Sequence, residues 1–310
     1  MIEALTLHQL QCFDAVVETG GFQPAAEKLL RSQPTVFAAV KNLEAQLGLT
    51  LFDRSGYRIA LTAAGRSFHD RTRVFLKELR SLQNHAQQLG MGEESELRIV
   101  IGDLCPMPEV LELLRAFFDQ HPRTQLHLHV EAIAGPWERL FDGDADLIIH
   151  HIDKADPRLE YIDLLSVKLI PVVAPGFLRM PISDAITPEQ MREYVQCIIR
   201  DTARHSPQPN YYLIEGAHTW TVGDQLMKKE IIMQGAAWGH LHDFLIDREL
   251  RDERLLSIAG KHLRGGRVEL TAARQRDVPH GPIADRLWQH IEEHAVTFAA
   301  GGCDDPNFMR

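Results

Sequence analysis

Cysteine is scarce in this sequence. The 310 residues contain four, namely Cys12, Cys105, Cys197 and Cys303, and they form no C-x-x-C pair. So few and so distant cysteines exclude a disulfide framework and a structural zinc site. Long apolar runs are also lacking, since each falls short of the roughly 20 residues that a membrane-spanning helix needs. We therefore expect reduced thiols and no membrane partner.

An overall excess of positive charge is absent as well. The chain carries 33 Lys and Arg against 43 Asp and Glu, a formal net charge of −10. Residues 1–89 nevertheless hold 10 basic and 8 acidic residues, which leaves 23 and 35 for residues 90–310. This asymmetry predicts two parts with different roles. The first residues lack the basic and apolar regions of a signal peptide, so we expect a cytoplasmic protein.

Three short helices are predicted between residues 7 and 47. Apolar residues recur there at helical spacing, with breaks at Gly20-Gly21 and before Ser32, and an end at Gly48. Residues 51–61 alternate around Ser55-Gly56 and predict a small hairpin. Two helices joined by a tight turn and followed by such a wing typically place the second helix in the major groove of DNA.

A long helix follows from Thr62 to about residue 89. Its apolar seam predicts a dimer contact, and burial of the seam against the chain's own second part is the alternative. The seam residues are Phe68, Thr72, Phe75, Leu79, Leu82, Ala86 and Leu89.

Beyond a linker at residues 90–95, strands and helices alternate as in a parallel α/β sheet. The predicted strands are 97–101, 126–132, 146–150, 167–174, 195–200 and 268–273. The predicted helices are 107–120, 136–141, 187–193, 223–234 and 282–300, and the last residues are predicted to form a loose tail.

Five segments of the first part closely resemble the DNA-binding signature of LysR-type transcriptional regulators. They are 20–29 (GGFQPAAEKL), 32–36 (SQPTV), 43–48 (LEAQLG), 51–54 (LFDR) and 61–65 (LTAAG). Segments 118–122, 143–147 and 235–239 look like landmarks of that family's effector domain. The resemblance implies an α/β multidomain regulator without a cofactor or catalytic activity. It would have a winged helix-turn-helix at 1–61, a linker and dimerisation helix at 62–90, and an effector-binding domain at 91–310.

Helical geometry turns one side of the third helix toward the groove. The expected DNA contacts, with neighbours from the second helix and the wing, are Gln23, Ser32, Gln33, Pro34, Thr35, Phe37, Ala38, Lys41, Arg54 and Arg58. Relatives generally have Ser at the place of Phe37 and a polar residue at that of Ala38. Phe37 either faces DNA or folds back onto the core or the wing. The partner is expected to be double-stranded DNA with an interrupted inverted repeat, bound by a homodimer or homotetramer.

The resemblance also implies a periplasmic-binding-protein-like fold, with subdomain I at about 96–168 and 271–300, subdomain II at about 169–270, and a small-molecule effector between them. Strand ends nominate the effector residues: Asp103, Leu104, Cys105, Pro106, Gly135, His151, Arg200, Asp201, Thr202 and Trp220. Helix N-termini at Pro106 and Pro136 favour an anionic effector. The family often has Ser or Thr at the place of Cys105.

Three alternatives use other residues. Cys105 and Cys197 suit a redox sensor, and His127, His129, His150 and His151 suit a metal sensor. His290, Glu293 and His294 match the H-x-x-E-H spacing of a zinc hydrolase helix. A solvated helix face is the simpler interpretation of that last motif, and no metal site is expected.

Overall fold

The computed structural model describes residues 5–53, 59–91, 94–205, 208 and 211–301, without the side chains of residues 80, 81, 84–91 and 296–301. Several predictions therefore lie outside the described residues: the hairpin tip with Arg54 and Arg58, the side chains of Ala86 and Leu89, and the tail with Cys303. The chain divides into two compact units, residues 1–90 and 91–310.

The three predicted helices of the first unit are confirmed. They are α1 (Leu7–Thr19), α2 (Phe22–Lys28) and α3 (Gln33–Leu47). α1 begins with a capping box in which the Thr6 hydroxyl and the Gln9 side chain each accept a backbone N–H. α3 begins with Ser32 as its cap and ends at Gly48, which has a φ of 63°.

Aromatic rings fill the core of the first unit. The ring of Phe13 is fully buried and lies 5.4 Å from that of Phe52 and 5.6 Å from that of Phe68. Val36 and Leu43 of α3 are also fully buried, and each such side chain contributes about 1.5–3 kcal/mol to stability. β1 (Phe52–Asp53) pairs antiparallel with β2 (Ala60–Leu61), as the hairpin prediction requires.

The long helix α4 (Ala63–Met91) divides its apolar residues between two environments. Thr72 and Leu76 are buried, and Phe68 packs against the same core. His69 is buried as well, and its Nε2 lies 2.9 Å from an Asp14 oxygen of α1. Phe75 and Leu82, by contrast, are 51% and 63% exposed. The N-terminal end of the predicted seam thus holds α4 to its own unit, and the exposed residues lie further along.

The second unit is built on a seven-stranded sheet of mixed direction. The strands are β3 (Glu96–Gly102), β4 (Gln125–Glu131), β5 (Leu147–His150), β6 (Leu159–Val173), β9 (Gly239–His242), β10 (Leu256–Ser257) and β11 (Gly266–Gln275). Their order is β10-β6-β11-β5-β3-β4, with β9 also paired to β6. β3 is parallel to β4 and to β5, as predicted.

A parallel arrangement throughout this unit was a wrong prediction. β11 runs antiparallel to β5 and β6, and its register with β6 extends from Gly266↔Leu169 to Gln275↔Leu159. The two long strands form a ribbon that passes through both halves of the unit, so each half can contribute further strands to it. A separate parallel pair, β7 (Gln196–Ile199) and β8 (Thr219–Val222), lies in the second half.

Helices pack around these strands: α5 (Met107–Phe118), α6 (Gly135–Phe141), α7 (Pro188–Met191), α8 (Gln225–Met233), α9 (Asp243–Arg251) and α10 (Pro282–Gly301). One apolar cluster in the first half includes Ile99, Ile101 and Leu114. Another in the second half surrounds the fully buried Trp238. The sequence did not predict β8, β9, β10 or α9, because the three strands have only two to four residues each and α9 carries many charges.

Candidate DNA-binding surface and effector cavity

α3 has one apolar and one exposed side. Val36, Val40 and Leu43 are fully buried, and Ala39 is nearly so. The exposed residues at its start and along its other side are Gln33, Pro34, Thr35, Phe37, Ala38 and Lys41. This division follows from the 3.6-residue period of the helix. The predicted groove-facing side is therefore exposed within the first unit.

Two of the predicted polar contacts already have partners within the chain. The Ser32 Oγ accepts the Thr35 N–H at 3.3 Å and lies 2.7 Å from the Thr35 Oγ1. The Gln23 Nε2 donates to a Glu27 oxygen at 2.9 Å along the exposed side of α2. These bonds hold the start of α3 and the side of α2 in place, while leaving both surfaces exposed.

Phe37 leans against α2. Its ring is 5.2 Å from that of Phe22 in an edge-on arrangement, and the residue remains 40% exposed. The contact fixes the α2–α3 crossing and still leaves part of the ring on the surface. Phe37 thus packs onto Phe22 of the core, and the rest of its ring stays on the surface.

A cavity of about 480 Å³ lies within the second unit, between its two halves. Asp103, Leu104 and His151 line it, as the strand-end argument predicted. Its remaining wall comes from β6, β7, β9, β11, α8 and the loop residues Ile133, Ile152, Lys154, Tyr211 and Tyr212.

Seven predicted effector residues do not line this cavity. Cys105 is buried, and its Sγ donates to the Ile149 carbonyl at 3.1 Å. Pro106 is buried at the start of α5. Arg200 is exposed, with its backbone N–H on the Val222 carbonyl, and Trp220 is 48% exposed on β8. The strand-end rule located the cavity but overestimated how many strand ends face it.

Gly135, Asp201 and Thr202 instead join the two halves. The Ala134 N–H donates to an Asp201 oxygen at 3.1 Å, and the Ala132 N–H donates to the Thr202 Oγ1 at 2.9 Å. A Cβ on Gly135 would lie 1.9 Å from the Thr202 Oγ1, so the close approach requires glycine. The three residues form a clasp beside the cavity.

Sequence reasoning missed the polar residues that α8 places in the cavity wall. Gln225 and Lys228 are 9% and 6% exposed and lie one turn apart with the buried Ile232. The Gln225 Nε2 donates to an Asp103 oxygen at 2.6 Å, which links the halves. Polar residues at i and i+3 on the apolar side of a helix are the signal that could have found them.

Burial controls protonation around Lys228. Desolvation lowers the pKa of Lys228 to about 8, against an opposing attraction from Cys197 and Asp103. Burial also raises the pKa of Asp103, although the bond from Gln225 and the charge of Lys228 act in the opposite direction. Two titratable groups thus lie in a desolvated wall, where electrostatic interactions are stronger than in water.

The cysteines and histidines of the alternative hypotheses lie in different environments, and Cys197 and His151 line the cavity. Burial raises the pKa of both Cys105 and Cys197, which disfavours the reactive thiolate. His150 is fully buried, with its Nε2 2.9 Å from the Ile133 carbonyl, and burial lowers its pKa. His127 and His129 lie on β4, where the His127 Nε2 is 3.6 Å from a Glu96 oxygen.

The H-x-x-E-H segment of α10 also bonds to backbone. The His290 Nε2 lies 3.1 Å from the Leu113 carbonyl, and the His294 Nδ1 lies 2.7 Å from the His290 carbonyl. In the part of the chain that the structure describes, one group of three potential metal ligands occurs, namely Glu138, Asp142 and His205. It contains none of the histidines predicted from the sequence.

Known protein families match both units of the chain. Residues 7–66 match the bacterial regulatory helix-turn-helix protein family of the lysR type, and residues 90–296 match the LysR substrate binding domain. The second match alone covers more than half of the chain, and the chain belongs to the LysR family. It is a transcriptional regulator with a DNA-binding helix-turn-helix and an effector-binding domain.

Individual relatives are similar over most of their length. The chain is 28% identical over 277 residues to the probable HTH-type transcriptional regulator YhaJ of Escherichia coli K12, which covers 88% of this chain and 92% of the relative. It is 29% identical over 236 residues to the HTH-type transcriptional activator AllS of Klebsiella pneumoniae, with 75% and 87% covered.

Solved structures share the fold. The LysR family regulator CbnR superimposes with a TM-score of 0.57 at 21% identity, over 94% of this chain and 99% of CbnR. Full-length CbnR has also been solved in complex with its target DNA, and that structure gives a TM-score of 0.56 at 21% identity over 93% and 99% of the two chains. Among the described residues, no helix is long and apolar enough to cross a bilayer.

Proposed function

We propose that this regulator reads double-stranded DNA through the exposed side of α3, with Gln33, Thr35 and Ala38 against base edges and Lys41 on phosphate. The observation that carries the proposal is the exposure of this side while the opposite side is buried. Gln suits adenine, and the Thr methyl and Ala suit thymine methyl groups. Gln23, Ser32, Pro34 and Phe37 border the same surface, and Arg54 and Arg58 of the hairpin add phosphate contacts.

Selection from a randomised pool of duplexes tests this assignment. Sequences bound by the native chain are identified and measured again with Gln33→Ala and Thr35→Ala. We expect each variant to lose discrimination at one or two base positions, about 1–3 kcal/mol for a good base contact. Lys261→Ala, on the second unit, is the control and should select the same sequences. Unchanged selection by both α3 variants would refute the assignment.

A dimer formed through α4 would place two α3 helices on one face of DNA. Phe75 and Leu82 are more than half exposed, and Leu79 lies between them. Phe68 and Thr72 pack within the first unit. Such a dimer fits an interrupted inverted repeat, and a tetramer could pair two of them. Sedimentation of Phe75→Ser/Leu82→Ser should show smaller species than the native chain, with Val74→Ser, which lies beside the seam, as control. Species of equal size in the double variant and the native chain would place the dimer contact elsewhere.

The second unit supplies the regulation under this proposal. An effector in the cavity between subdomain I (about 96–168 and 271–300) and subdomain II (about 169–270) would favour one arrangement of the halves, which the Asp103–Gln225 bond already links. Only a ligand with different affinities for two arrangements can shift their balance. The proposed role is regulation of transcription in the cytoplasm, without catalytic activity.

A further inference from the structure

We propose that Lys228 captures a small uncharged aldehyde in the cavity as a covalent imine, so that the effector class is a reactive carbonyl compound. The inference rests on the proposed effector role of the cavity and names the chemistry of its ligand. It follows from a primary amine that is more than nine-tenths buried, has no bonded partner and lines a mostly apolar space.

The amine of Lys228 is buried but accessible. Lys228 is 6% exposed, and its Nζ makes no hydrogen bond or ion pair within the part of the chain that the structure describes. The carboxylate of Asp103 accepts a hydrogen bond from the Gln225 Nε2 instead. The Gln225 Oε1 and the His240 Nδ1 are unbonded and sealed from solvent, whereas the Lys228 Nζ is unbonded and not sealed. Of these three groups, the amine is the one that a ligand in the cavity can reach.

Burial also makes this amine a nucleophile near neutral pH. A desolvated ammonium without a partner is costly, and desolvation lowers the pKa of Lys228 to about 8. About one molecule in ten then holds the neutral amine at pH 7, against about one in three thousand for a lysine of pKa 10.5. The neutral amine has the lone pair that attacks a carbonyl carbon, and desolvation in an apolar pocket is one way in which proteins activate a lysine.

Imine formation balances without an oxidant or a cofactor. The Nζ lone pair forms a bond to the aldehyde carbon, the carbonyl π electrons move to oxygen, and one amine hydrogen follows to give a carbinolamine. The carbinolamine then loses its hydroxyl group and the second amine hydrogen as one water molecule, and the C=N bond forms. An apolar wall protects such an adduct from hydrolysis. The uncharged imine also removes the buried ammonium.

The surroundings of the cavity favour an uncharged ligand with a hydrocarbon part. Three basic and three acidic residues line the cavity or pair with a residue of its wall, namely Lys154, Lys228, Arg267, Asp103, Glu269 and Asp163. These charges balance without a ligand. Leu104, Ile133, Leu169 and Ile198 add apolar surface. The volume of about 480 Å³ lies in the range of small-molecule sites.

The adduct would form where the two halves of the second unit are linked. Lys228 lies one turn after Gln225 on α8, and the Gln225 Nε2 donates to Asp103 of the first half at 2.6 Å. A hydrocarbon group attached to Lys228 occupies space beside this bond. It therefore contributes a different free energy to each arrangement of the halves, as a regulatory ligand must.

Reductive trapping in the full chain tests the inference. Hexanal or benzaldehyde is added at pH 7 with cyanoborohydride, which reduces an imine to a stable secondary amine, and peptide mass spectrometry locates the adduct. We expect labelling of Lys228 to exceed that of every other lysine by at least about tenfold, since its neutral form is about 300-fold more abundant than that of an ordinary lysine. Formaldehyde, which has no hydrocarbon part, should label exposed lysines as well. The same distribution with all three aldehydes, or no adduct at Lys228, would overturn the inference.

The pH dependence separates Lys228 from an ordinary lysine. The titratable groups around it are Asp103 from the end of β3, Cys197 from β7, and His240 and His242 from β9. Above about pH 8 the neutral fraction of Lys228 levels off, whereas that of a lysine in an added reference peptide, with a pKa of about 10.4, continues to rise. The ratio of Lys228 labelling to peptide labelling should therefore fall about tenfold between pH 7 and pH 9. A constant ratio would overturn the inference.

Two variants tie the adduct to Lys228. Lys228→Met should lose the label on α8. Lys229→Met removes a neighbouring lysine that pairs with Glu249 at 2.9 Å and is not in the cavity wall, so it should be labelled as the native chain is. A label on α8 that persists in Lys228→Met would contradict the site, and the mapping of the native chain does not depend on the folding of either variant. Duplex binding by the native chain is measured separately: its loss would refute the regulator, whereas failure of the aldehydes alone would refute only the ligand class.

Discussion

The two recognition surfaces of this protein differ in how they are built. The α3 surface consists of neighbouring residues on one helix, exposed to solvent and backed by Val36, Val40 and Leu43. The cavity collects side chains from distant segments, such as Asp103, Lys228 and His240, and removes them from water. An exposed surface suits a long polyanion whose counterions are released on binding. An enclosed wall suits a small molecule whose every polar atom must be matched.

The largest expected effect is the loss of stability of the first unit alone. Val40→Asp places a carboxylate where Val40 is fully buried, which costs several kcal/mol and should unfold the first unit. We expect duplex binding to be lost while the second unit keeps its own unfolding transition. Circular dichroism measures the unfolding transition, and fluorescence anisotropy measures duplex binding. Ala38→Asp, on the exposed side of the same helix, is the control for folding, and equal destabilisation by both would contradict the assignment of the two sides.

A smaller effect concerns the free energy of unfolding, which the buried charge of Lys228 lowers. Its pKa is lowered from 10.5 to about 8 in the folded chain, so folding disfavours its charged form. The free energy of unfolding should therefore rise with pH between about 8 and 10.5, where the unfolded chain binds more protons. At pH 7, Lys228→Met should be more stable by about 3 kcal/mol, from 1.36 kcal/mol per pKa unit.

Urea unfolding of Lys228→Met and the native chain at pH 7 and pH 10 measures this effect. The difference between the two proteins should shrink at the higher pH. Lys229→Met provides the comparison for losing a lysine outside the wall. A variant less stable than the native chain at pH 7 would mean that Lys228 has a stabilising partner and that folding does not disfavour its charged form.

The smallest effect lies in the turn before α3. Leu30 is 91% exposed and has a φ of 51°, a left-handed conformation that costs a leucine about 1–2 kcal/mol. Leu30→Asn should stabilise the first unit by about 0.5–1 kcal/mol, because Asn tolerates this conformation and little apolar surface is lost. Thermal unfolding measures the gain, with the exposed Leu49→Asn as comparison. A loss of stability would show that the Leu30 side chain has a packing role.

The same contrast explains what could be predicted from the sequence. The α3 surface depends on local periodicity and on the caps Ser32 and Gly48, which the sequence displays directly. The cavity depends on which distant segments meet. Asp103, Leu104 and His151 were found because strand ends converge, whereas Gln225, Lys228 and His240 face the cavity only because α8 and the short strand β9 pack beside the β6–β11 ribbon. Asp201 and Thr202 were predicted as ligand contacts because the rule cannot distinguish a clasp from a wall.

The salt dependence of duplex affinity in the native chain and in Lys41→Ala tests the central claim most directly. If α3 lies on DNA with Lys41 on a phosphate, log affinity should fall steeply with log salt concentration in the native chain. The slope should then be shallower by about 1 in the variant, uniformly across sequences. Identical slopes for the two proteins would contradict the placement of α3 on DNA.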